Sequence, residues 1–212
     1  MKKKLLLGIL FSISISSKIE AQDFLQKFEK EFCICLSSKT NYTDETFKTC
    51  SYEVISKLQK DYENYHKSTA NKNKDDFMKD FMPRFMNNCD SFFLHMVDLK
   101  NIGMNRFRND YKEISIDALK NKFADTKLLA DYWEMANWYF AHNKTEEAER
   151  MYKEILKNEP DYLDAIYMLG LLYDEVEKYK EAKILYEKVY ENTGQIQYKL
   201  YSEMSSKKII NK

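Results

Sequence analysis

From Leu129 onward the chain repeats itself. The segment LADYWEMANWYFAHNKTEEAERMYKEILKNEPDY covers residues 129–162, and LDAIYMLGLLYDEVEKYKEAKILYEKVYENTGQI covers 163–196. At an offset of 34 residues, Met135 falls on Leu169, Ala136 on Gly170, Tyr139 on Tyr173, Ala148 on Ala182 and Tyr152 on Tyr186. Self-similarity at such a period marks a unit that cannot bury its apolar face alone and must stack on its neighbours. Gly170 stands out, because a glycine inside a helix costs about 1 kcal/mol relative to alanine. Its place opposite Ala136 makes it a position where space is needed between two helices.

These positions resemble the tetratricopeptide repeat, whose pattern runs W-x2-L-G-x2-Y, then a small alanine, an aromatic and a closing proline. Pro160 stands at the closing position of the first unit, while the second runs into Thr193-Gly194-Gln195, as a last repeat giving way to a cap does. The resemblance implies two antiparallel helices per unit, meeting where side chains are small: Gly170 with Ala182, and Ala136 with Ala148. Two units leave open ends. The helix expected around Ile116 to Phe123 is suited to the front. A capping helix over 197–210 is suited to the back, with Ile196, Leu200 and Tyr201 inward.

In that family the first helix of each unit lines a concave groove that receives a peptide or a partner helix. Carried over, the partner-binding positions are Trp133, Asn137 and Phe140, then Tyr167, Leu171 and Asp174. Trp133 and Tyr167 are equivalent and form an aromatic step, of the residue types favoured at binding hot spots. The competing reading is that these rings pack on the N-terminal half or on a preceding helix. Asn137 matches one place of the clamp with which some family members hold a free carboxylate. Aromatic rings and Asp174 occupy other places of it, so recognition of a chain terminus is not expected.

The rest of the chain agrees with an all-α fold. Glycine (4) and proline (2) are too scarce for the frequent turns of a β protein. The 34 basic and 34 acidic residues cancel, and no basic stripe suggests nucleic acid. At the N-terminus, MKKK precedes the apolar run LLLGILFSISISS and then KIEAQ, the pattern of an export signal over residues 1–21 with Ala21 as its last residue. The apolar run is short for a membrane span, although an N-terminal anchor is the alternative. Cleavage after Ala21 removes four lysines and one glutamate, leaving 30 basic and 33 acidic residues and a net charge of −3. The expected location is the periplasm or the outside of a bacterial cell, with no stable membrane span after cleavage.

Residues 22–99 read as a Cys-containing helical unit. Its helices are DFLQKFEKEFCICL, with Leu25, Phe28, Phe32 and Cys35 on one stripe, then a helix read from its cap Asp44 through to His66 with Phe47, Cys50, Val54 and Leu58, then a Phe/Met-rich helix that Pro83 kinks or restarts. The tract KSTANKNKDD reads as a loop. Periodicity lapses over 100–109 around Gly103, which reads as a linker, and 110–212 forms the repeat domain. All four cysteines, Cys33, Cys35, Cys50 and Cys89, lie in the first half, and an exported context favours two disulfides. Cys33 and Cys35 point about 200° apart on a helix. They therefore share Cys50 and Cys89, in either order. Buried free thiols, or a metal or redox site, are the alternatives.

No catalytic constellation is visible. His66, His95 and His142 are scattered, and no phosphate loop, nucleophile elbow or paired-histidine helix occurs. No cofactor and no metal are expected. The sequence thus predicts a non-enzymatic, exported protein-interaction or assembly module of the cell envelope. The alternative is a thiol-redox or metal-handling protein using Cys33 and Cys35, with the repeats as a recruiting platform.

Overall fold

The computed structural model describes residues 23–39, 43–68 and 74–210. The expected signal over 1–21 lies outside them, as does part of the loop tract after Lys67. Among the described residues every regular element is a helix. Helix α1 covers 23–37, followed by α2 (Asp44–Lys57), α3 (Gln59–Ser68), α4 (Lys74–Asn88) and α5 (Asp90–Tyr111). Then come α6 (Ile116–Thr126), α7 (Leu129–Ala141), α8 (Thr145–Asn158), α9 (Leu163–Glu175), α10 (Tyr179–Thr193) and α11 (Ile196–Ile210). No helix among the described residues is long and apolar enough to cross a membrane. The chain divides into two compact units, 1–95 and 96–212, and the division falls within α5.

The first unit is built around phenylalanine. On α1 the buried stripe is Phe24, Phe28, Phe32 and Leu36, one residue per turn. Leu25 and Cys35, expected on that stripe, are only half-buried. Phe28 meets Phe81 at 5.2 Å between ring centres, Phe32 meets Phe85 at 5.1 Å, and Phe85 meets Phe92 at 4.7 Å. Such offset and edge-on pairs add to the stabilisation from burial alone.

Three expectations are corrected here. Thr43, not Asp44, caps α2: its hydroxyl accepts from the Thr46 amide, and Asp44 is the first helical residue. The helix read through to His66 breaks at Leu58, separating α2 from α3. Residues 100–109, read as a linker, are helical throughout. Of the two readings of Pro83, the helix does not restart there: Pro83 lies inside α4, which ends at Asn88. Cys33 bonds Cys89 with 5.5 Å between their Cα atoms, and Cys35 bonds Cys50 with 5.7 Å. Of the two orders the sequence left open, this is the one adopted.

In the second unit α7–α8 and α9–α10 are the two helical hairpins of the repeat, and both turn in the same way. Asn143 and Glu177, one repeat apart, take left-handed backbone angles (φ 58° and 61°). The next amide, of Lys144 or Lys178, bonds the carbonyl of Tyr139 or Tyr173 at 2.8 Å. Helix α6 packs on α7 at the front and α11 on α10 at the back. Gly194, left-handed at φ 65°, ends α10 and lets α11 turn back. The expected cap is therefore present, with Leu200 and Met204 buried.

Candidate functional site: the concave face of the repeats

In the second hairpin a small residue, Gly170, sits under a tyrosine ring. A Cβ placed on Gly170 would stand 2.9 Å from Cε1 of Tyr186 and 3.5 Å from Cβ of Leu185. Ala182, expected as the partner, is a full turn away on α10; the ring of Tyr186 takes the space instead. This holds α9 close to α10; α7 and α9 are the first helices of the two hairpins, the ones expected to line the groove.

The six expected groove positions stand on these two helices, and they do not form an open surface. Asn137, Phe140, Leu171 and Asp174 are buried. Asn137, Phe140 and Asp174 meet the chain itself, through the part of α5 that belongs to the second unit. Phe107 packs on Phe140 with ring centres 5.6 Å apart, and Met104 is buried in the same cluster. Tyr111 receives a hydrogen bond from Nδ2 of Asn137 (3.1 Å) and donates to Glu134 (2.8 Å), while Oδ1 of Asn137 accepts from Tyr152 (2.7 Å). Asn137 is therefore committed to two tyrosines. Burial, and then the Glu134 carboxylate, push the Tyr111 hydroxyl well above its ordinary value.

Charge closes the same contact. Asp174, at the end of α9, has a side chain only 2% exposed and binds two lysines: Lys100 of α5, in direct contact, and Lys208 of α11 at 3.0 Å. One buried carboxylate thus answers two ammonium groups from two different helices. Burial pulls Lys208 below its ordinary value, against the attraction of Asp174. A single nitrogen of Arg108, Nη2, donates to both oxygens of Glu175, at 2.8 and 2.7 Å.

The aromatic step is the part of the groove that α5 leaves part-exposed. Trp133 leans on Tyr152 and Tyr162, at 5.7 and 5.4 Å, and Tyr167 on Tyr198 and Tyr201, at 5.2 and 5.9 Å. Both first rings are half-buried, so they support the stack while offering an edge to solvent. Burial raises the Tyr167 hydroxyl strongly. Tyr162 and Tyr198 were not singled out by the sequence reading. Their signal was present, since each aromatic stands at the start of the helix following a signature ring.

Cys33 and Cys35 belong to the first unit, each in its own disulfide, so they do not face one another as a dithiol. Among the described residues no group of three His, Cys, Asp or Glu side chains converges as a metal site does.

No curated protein and no solved structure matches the chain. The family model of the tetratricopeptide repeat matches it twice, over residues 132–162 and 164–192. Both matches fall on the hairpins whose turns coincide, and residues 132–192 accordingly carry two tetratricopeptide repeats.

Proposed function

We propose that this protein is an exported, non-catalytic interaction module that docks a protein or peptide partner in the cell envelope. The repeats support a protein partner. The N-terminal pattern over 1–21 and the pairing of all four cysteines support export to an oxidising compartment. The observation that carries the reading is the part-exposed aromatic shelf of Trp133, Tyr162, Tyr167 and Tyr198 on the concave side. It pairs rigid rings with hydroxyl and indole groups able to bond a peptide backbone. The filled portion beside it narrows the docking surface to the end of the groove where α7 and α9 begin.

The test is crosslinking capture from the native envelope with the wild type and with Trp133→Ala/Tyr167→Ala, alongside the melting curve of each. Because both rings are half-buried, a lower melting temperature is expected in the double variant. The same partner should be captured at least tenfold less by the double variant at a temperature where both proteins are folded. Equal recovery of that partner by the folded variant would remove the shelf as the docking surface.

A further inference from the structure

We propose that the segment of α5 from Lys100 to Tyr111 is a displaceable strap, an autoinhibitory occupant that the chain supplies to its own groove. This rests on the reading of the repeats as a binding module. Three observations point to it. First, the segment lies where a ligand helix would lie, with Lys100, Met104, Phe107, Arg108 and Tyr111 all directed at the repeats. Second, the polar contacts are charge-complementary: two basic groups of the strap meet Asp174 and Glu175.

Third, the strap is a poor helix in its own right. It contains Asn101, Gly103, Asn105 and Asn109, none a good helix former. Gly103 is exposed, with nothing within 4 Å of where its Cβ would be, so no packing demand explains it. This is the opposite of Gly170, which a ring requires. A segment with low propensity that is ordered by docking belongs to the part of a fold that opens first. The competitor it would yield to is a basic amphipathic helix, with a Lys or Arg for Asp174 and apolar or aromatic residues four and seven positions later. Release would uncover Asn137 and Phe140, free one side of Asp174, and extend the aromatic shelf along the groove.

The probe is a labelled peptide of residues 96–111, MVDLKNIGMNRFRNDY, titrated into the full disulfide-bonded chain and followed by fluorescence anisotropy. The Lys100→Ala/Arg108→Ala protein, whose strap is weakened, should bind it at least tenfold more tightly than the wild type. A peptide carrying the same two changes should bind at least tenfold more weakly than the wild-type peptide. Equal affinity of the two proteins, or indifference to the peptide's basic residues, overturns the strap. Should the variant fail to fold, hydrogen exchange on the wild type decides. Amides of 100–111 should exchange at least tenfold faster than those of α9 and α10; exchange at one common rate makes α5 ordinary core and overturns the proposal. Equal capture of the partner by the folded Trp133→Ala/Tyr167→Ala variant, with an intact peptide response, would instead fault the proposed docking surface and leave the strap standing.

Discussion

Gly170 shows how much a single absent methyl group decides. The Tyr186 ring occupies the place where its side chain would begin, and that ring is 1% exposed. In the first hairpin Ala136 stands at the same repeat position, and it and Tyr152 are both fully buried in the same cluster. Gly170→Leu would drive four carbons into a filled contact, and over-packing of this kind costs about 1–3 kcal/mol. Urea denaturation should show at least that loss; a variant as stable as the parent would mean that the ring does not lie there. The need for space at Gly170 was legible from the repeat alone, through its alignment with Ala136. The partner was not, because periodicity shows which face of α10 turns inward but not how far each side chain reaches. Ala182 and Tyr186 share that face, and the longer of the two fills the gap.

Among elements, the joint between α8 and the second hairpin rests on Glu149. Its carboxylate, about one-fifth exposed, accepts from Lys153 at 2.6 Å, from the Tyr173 hydroxyl at 2.9 Å and from Lys178 at 3.3 Å. Burial alone would raise its pKa; these three donors outweigh burial and hold it below its ordinary value. The charged form is thus favoured by folding. Its stabilisation is complete above the usual glutamate pKa of about 4.3 and is lost as the pH falls through the lower folded value. The melting temperature of Glu149→Gln should therefore fall less steeply than that of the wild type between neutral pH and pH 3. Parallel acid limbs for the two proteins would show that the joint does not depend on this charge.

Helix α5 is the element that the sequence hid best. Asparagines and Gly103 make residues 100–109 look like a linker, yet Met104, Phe107 and Tyr111 recur at helical spacing within and beside them. Tertiary burial of those three overrides the weak propensity of the residues between them. The groove pattern named six positions on α7 and α9, four of which are buried. What it could not mark is which segment of the chain covers them, since a repeat signature describes a unit and its neighbours in the stack.

At the scale of the molecule, each half carries its own means of stabilisation. The first unit has two disulfides and interlocked phenylalanine rings; the second has two repeats, a helix at each end and an occupied concave face. Cysteine positions reduced the pairing to two orders, and only the approach of helices distant in sequence selects between them. The repeats announced themselves because their packing is local, within about one period.

The central claim is that the concave face of the tetratricopeptide module is filled by α5, and a double-mutant cycle on Phe107 and Phe140 tests it most directly. The two rings are 5.6 Å apart and belong to helices separated by α6 in the chain. Contacting aromatic pairs couple by about 0.5–1.5 kcal/mol. Urea unfolding of Phe107→Ala, Phe140→Ala and the pair together should give a double variant more stable than the sum of the two losses by at least about 0.5 kcal/mol. Strictly additive losses would mean that the rings do not touch, and that the groove is open.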